Sequence, residues 1–141
     1  MPIGIYQKVD KLPSRGDTVA VCLPKAAATE GLAKGYLLPG YCPSKMLPVL
    51  KTLIAVPNDK VVTTEQFILV NNKKYLAPQQ PGVKHFVSEH STSQYWLYGK
   101  NNPTRSWDSR YFAGVKRENI VGVYRPVFVF KRPRPLSQDR Q

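Results

Sequence analysis

The chain has 141 residues, 42% of them hydrophobic and 21% charged, which suits one folded domain with a real core and leaves no room for two comfortable ones. The formal net charge is +12, but lysine and arginine are scattered rather than gathered on one helix or interleaved with exposed aromatics; this argues against a nucleic-acid binder and for a solvated basic surface facing anionic head groups. No run reaches the roughly 18 apolar residues that cross a bilayer, and Met1-Pro2-Ile3-Gly4 leads into strand-like sequence rather than a secretory leader pattern.

Thirteen prolines and nine glycines spread along the chain predict many short strands joined by turns. Arg15-Gly16-Asp17 reads as a turn, followed by a half-buried strand over 18–23 (TVAVCL). Residues 26–34 form the one convincing helix, stopped by Gly35, and 36–48 is a Pro- and Gly-rich loop. The most apolar strand covers 49–56 and ends at Pro57-Asn58-Asp59. Strands over 61–64 and 66–70 lead to Asn71-Asn72, whose side chains tolerate the left-handed backbone of a tight turn. Residues 78–93 read as an exposed excursion, and strands over 95–98, 120–124 and 127–130 complete a mainly β, antiparallel domain over 1–130. From Lys131 the composition is that of a basic, proline-containing tail over 131–141.

Cys22 and Cys42 are too few for a zinc site and neither belongs to a CxxC pair, so no metal is expected, and no cofactor motif occurs. In an extracytoplasmic domain the two would form one disulfide closing a loop of about twenty residues, worth roughly 3 kcal/mol. Two buried free thiols are the alternative.

Lys51 stands out on physical grounds alone. It lies inside Leu47-Pro48-Val49-Leu50-Lys51-Thr52-Leu53-Ile54-Ala55-Val56, where Val49, Lys51, Leu53 and Ala55 share one strand face. An ammonium against that face is poorly solvated, which favours the neutral amine and lowers its pKa. A neutral amine can act as a general base. The competing reading is a stem packed on the strand with its nitrogen in water.

A second constellation follows Tyr95-Trp96-Leu97-Tyr98-Gly99-Lys100-Asn101-Asn102, in Ser106-Trp107-Asp108-Ser109-Arg110-Tyr111-Phe112. An extended backbone would point Ser106, Asp108 and Arg110 to one side, pairing Asp108 with Arg110 and leaving the Ser106 hydroxyl for another partner. Such a trio alone also describes a structural corner.

Taken together these segments resemble the S26 signal-peptidase family, and more closely its conjugative-transfer (TraF-type) branch. Ser14-Arg15-Gly16-Asp17-Thr18-Val19 resembles the family's RGD-V turn and strand, and Leu50 to Asp59 its K-R-V-x-G-x-P-G-D box. Trp96 to Gly122 resembles the box holding G-D-N, S-x-D-S-R-Y-x-G-x-V and N-I-x-G, while Val21-Cys22-Leu23-Pro24 and Gly31 to Pro48, with Gly40-Tyr41-Cys42-Pro43, are similar to the conjugative branch. Asn58 replaces the glycine of P-G-D, Gly99-Lys100-Asn101 replaces G-D-N, and Thr52 stands where arginine is common.

The resemblance implies a signal-peptidase-like β domain in which Lys51 is the general base, Ser106 orients it, and Asp108 with Arg110 braces the site. It implies a nucleophilic serine in a Ser-x-Pro pattern, one position before Met1, with an anchoring helix before that. The 141 residues alone would then cleave nothing. The expected chemistry is acyl transfer, with backbone amides near the serine holding the oxyanion. The expected partners are a conjugative pilin precursor, cleaved or joined into a ring, and the periplasmic face of the inner membrane. Ser14, Ser44, Ser88, Ser91 and Ser93 lack the nucleophile's flanking residues, and His85 and His90 read as surface residues. The competing function is a non-catalytic periplasmic pilus-assembly or substrate-binding relative.

Overall fold

The computed structural model describes residues 4–35, 37–78, 88–91, 94–100 and 106–129, with 88–91 and 128–129 given by their backbone alone. These residues form nine strands in two antiparallel sheets. The first carries β1 (Gly4–Val9), β9 (Ile120–Val129), β2 (Thr18–Val21), β3 (Val49–Ala55) and β8 (Trp96–Tyr98), in that order across the sheet. The second carries β6 (Lys73–Leu76), β5 (Phe67–Val70), β4 (Lys60–Thr63) and β7 (Ser88–Ser91).

Each sheet has its own core, and β3 supplies both. Val19, Val21, Leu53, Leu97, Val115 and Val123 pack in the first cluster, together with Leu23, Ala27, Ala28, Leu37, Met46 and Trp107. Ile54 and Ala55 turn to the second, with Val61, Ile68, Val70, Trp96 and Tyr98. The change of side coincides with a register irregularity between Leu53 and Ala55 in the β3–β8 pairing, where one extra residue re-aims the strand. The turn before β2 is locked onto β3 by two backbone bonds: Gly16 N–H donates to the Leu53 carbonyl at 2.8 Å, and Leu53 N–H to the Asp17 carbonyl at 2.8 Å. Gly16 has φ +93°, which a side chain would strain.

Helix α1 (Lys25–Ala33) begins after Pro24 and is closed by Lys34 and Gly35, the latter at φ +80°. Cys22 and Cys42 are joined in a disulfide with Cα atoms 5.6 Å apart, tying the residue after β2 to the loop beyond α1. That loop carries one isolated bridge, Pro39 with Met46.

Several boundaries differ from the sequence reading. β2 stops at Val21 because the ladder loses its reciprocal bond there: the Cys22 N–H still donates to the Asn119 carbonyl at 2.9 Å, but the Asn119 N–H turns to the Lys116 carbonyl at 3.0 Å and its side-chain amide donates to the Cys22 carbonyl at 3.1 Å instead. The Asn71-Asn72 turn, at φ +48° and +75°, leads into β6, which the sequence reading passed over because Lys73-Lys74 reads as exposed polar chain. Part of the expected excursion is ordered, since β7 pairs with β4; residues 79–87 lie outside the described residues. The two expected terminal strands are one, β9, running through Pro126, which sits opposite Tyr6 at a register shift in the β1–β9 pairing. Beside α1 there is a second short helix, α2 (Ser109–Phe112). The tail over 131–141 lies outside the described residues.

Candidate functional site

Lys51 sits in the middle of β3 opposite Val19, so its side chain shares a face with Val19 and, by alternation, with Leu53, both fully buried. Its Nζ donates to Ser106 Oγ at 2.8 Å. Some surface of the residue remains exposed, but the protein around the amine is dense enough that desolvation is the leading influence and holds its pKa below the ordinary lysine range. Asp108 acts in the opposite sense through its charge, and Arg110 adds to the lowering.

The segment bearing Ser106 corrects the expectation of an extended strand. Asp108 is the N-cap of α2, its Oδ1 accepting from the Arg110 N–H at 3.1 Å. Aspartate is a favoured cap because its side chain satisfies an otherwise orphaned amide. Capping puts Asp108 and Arg110 at the start of one helical turn, not at alternate positions of a strand, and still pairs them. Arg110 Nε donates to Oδ1 at 2.8 Å and Nη2 to Oδ2 at 3.0 Å, a two-pronged ion pair with both side chains buried. The guanidinium lies near the rings of Tyr98 and Tyr111, 5.7 and 5.6 Å from their centroids, and Nη1 donates to the Pro78 carbonyl at 3.3 Å.

Two positions of the quoted motifs, Gly99 and Ser109, are essential to this packing, although the sequence alone assigns them no role. Gly99 N–H donates to Asp108 Oδ2 at 2.8 Å, and a Cβ at Gly99 would stand 2.0 Å from Ser106 Oγ, so only glycine leaves room for that hydroxyl. Ser109 Oγ accepts from the Leu97 N–H at 2.9 Å, joining α2 to β8. A glycine closing an aromatic strand just before a Ser-x-Asp pattern was the available signal for Gly99. Asn58, in place of a glycine, does take positive φ, +79°.

Other candidates lie elsewhere. Ser14 belongs to the 14–17 turn, donating from Oγ to Asp17 Oδ2 at 3.1 Å. Ser44 lies beside the Cys22–Cys42 disulfide, lining a cavity of about 650 Å³ with Lys25, Lys45 and Asn119. His85 and Ser93 lie outside the described residues, as do the side chains of Ser88, His90 and Ser91. Among the described residues no three His, Cys, Asp or Glu side chains gather to hold a metal.

A family model described as signal peptidase, peptidase S26, matches residues 4–129. The chain belongs to the S26 signal peptidase family. This S26 chain is 27% identical over 145 residues to the conjugal transfer protein TraF of Agrobacterium fabrum, covering 92% of this chain and 78% of that one. It is 27% identical over 142 residues to a plasmid transfer protein TraF of Escherichia coli, with coverage of 92% and 79%. It is 28% identical over 141 residues to a probable conjugal transfer protein TraF of Sinorhizobium fredii, with coverage of 92% and 73%. A crystal structure of a signal peptidase I from Enterococcus faecalis aligns at TM-score 0.45 and 21% identity, over 80% of this chain and 97% of that one.

Proposed function

We propose that this S26 chain carries the catalytic domain of a serine endopeptidase of the Ser/Lys type, acting on a conjugative pilin precursor at the periplasmic face of the inner membrane. The observation that carries the reading is the Lys51 amine, 2.8 Å from Ser106 Oγ in surroundings that favour its neutral form. Family membership supports peptidase chemistry, and the conjugal transfer names of its relatives support the substrate class.

In this mechanism the nucleophile is a serine immediately ahead of Met1. Neutral Lys51 takes its proton as the oxygen attacks the scissile carbonyl carbon. The tetrahedral intermediate collapses, the C–N bond breaks, and Lys51 returns that proton to the leaving amine. Water, or the substrate's own amino group in a ring closure, then gives a proton to Lys51 as it attacks the ester carbonyl carbon; the C–O bond to the serine breaks, and Lys51 passes that proton to the serine oxygen. Ser106 holds the Lys51 amine on line throughout, while the Asp108–Arg110 pair keeps Ser106 seated against Gly99. Among the described residues no helix is long and apolar enough to cross a membrane.

The test is precursor processing by the protein extended through that serine and anchor, followed by intact mass. Lys51→Met should abolish processing while the fold survives, since methionine suits an apolar site. The 141-residue chain alone should cleave nothing. Processing by the Lys51→Met protein would overturn the assignment. A cyclised product would be one water lighter than the hydrolysed one.

A further inference from the structure

Ser106 and Trp107 lie outside every strand and helix. The Trp107 side chain leaves the site and enters helix α1. Its indole is buried, and Nε1–H donates to the Ala27 carbonyl at 3.0 Å. The ring stacks on Tyr111 with centroids 5.3 Å apart and planes 11° apart, and tilts against Phe112 at 5.9 Å. One helical turn beyond Ala27, Gly31 forms the notch that admits it: a Cβ there would stand 2.6 Å from Nε1 and 2.8 Å from Cδ1.

Helix α1 has little of its own to hold it. It lacks a side-chain N-cap, and its buried residues are Ala27, Ala28 and Gly31. A helix this short is marginal without tertiary contacts. Its N-terminal side is tethered through Cys22 to Cys42, and its middle is held by the indole.

We propose that Trp107 is a positioning residue for the Lys51–Ser106 pair: seated in the Gly31 notch, it fixes the backbone of residues 106–108, so that Ser106 stays on the lysine amine and Asp108 on Gly99 and Arg110. The inference rests on the reading of Lys51 as general base. A supporting group of this kind matters because a loosely held catalytic side chain loses its alignment even when every reacting group is present. If the segment drifts off α1, water reaches the lysine nitrogen. The desolvation that keeps it neutral then weakens, while Asp108, the anion facing it, continues to favour the charged form.

The 141-residue chain, labelled with carbon-13 at lysine, tests this without any turnover. The Lys51 Cε resonance is assigned by its loss in Lys51→Met and followed through a pH titration. Trp107→Phe keeps a ring in the stack and removes the N–H donor. Gly31→Ala changes no residue of 106–112, pushes the Trp107 indole out of its notch, and favours the helix by propensity. Both variants should raise the Lys51 midpoint by about one pH unit, a tenfold smaller ratio of neutral to charged amine at a given pH. Amide signals of the second sheet should stay in place. If Lys51 of the parent titrates with the exposed lysines, the general-base reading fails and this inference goes with it. If the parent midpoint is depressed and either folded variant leaves it unmoved, the general-base reading stands and the positioning role of Trp107 is wrong.

Discussion

A lysine that folding strips of water carries a stability cost that depends on pH. Lys51 has a folded-state pKa below its unfolded value, so between the two values the unfolded chain binds more protons and stability rises with pH. Below the folded-state value the cost is fully present; above the unfolded value, about 10.4, it is gone. Lys51→Met removes the titration and fits the buried face of Val19 and Leu53. The stability of Lys51→Met relative to the parent should therefore be greater at pH 7 than at about pH 10, read by calorimetry at each pH. A difference that does not change with pH would mean a solvated, charged amine. Lys51 was legible in the sequence because a cation in an apolar strand breaks a simple pattern. Ser106, Asp108 and Arg110 were legible as a motif, but their geometry was not. Asp108 acts as a helix cap, and a residue pattern that fits alternate strand positions can equally close one helical turn.

At the scale of elements, the site is the junction of β8, α2 and β3, and its tightest point is Gly99. Alanine there would place its methyl 2.0 Å from Ser106 Oγ and 2.2 Å from Ser106 Cβ. Something must yield, and the backbone of 106–108 carries the Ser106 hydroxyl away from Lys51. Gly99→Ala should cost about 1–3 kcal/mol in denaturant unfolding, the usual penalty of overpacking, and should abolish processing in the extended protein. Full activity with Gly99→Ala would show that the Ser106–Lys51 contact is dispensable. No periodicity in the sequence announces a steric requirement of this kind, because the colliding residue, Ser106, stands well beyond the neighbour spacing of a helix or strand from Gly99. The same holds for Trp107, whose partner Ala27 is 80 positions away. β6 and the continuity of β9 were obscured for a related reason. Paired lysines and an internal proline both read against a strand, yet each sits where cross-strand pairing tolerates it, in an edge strand for Lys73-Lys74 and at a register shift for Pro126.

Over the whole molecule, the two cores differ in what they depend on. The first includes Leu23, Ala27, Ala28, Leu37 and Met46, all within or beside the loop closed by Cys22 and Cys42. The second draws its residues from position 54 onward and takes none from that loop. Opening the disulfide frees a loop with a sequence separation of 20, a loss of roughly 3 kcal/mol and, for a domain of this size, roughly 10 °C in melting temperature. The loss should be uneven. In Cys22→Ser with Cys42→Ser, amide exchange should accelerate most in α1 and residues 37–47, while β4 and β5 keep their protection relative to global unfolding. Because α1 is what holds Trp107, the same double variant should also raise the Lys51 midpoint, linking the bridge to the site through the helix. Uniform acceleration across both sheets would instead mean that the cores unfold as one unit, with β3 transmitting every local loss to the whole chain.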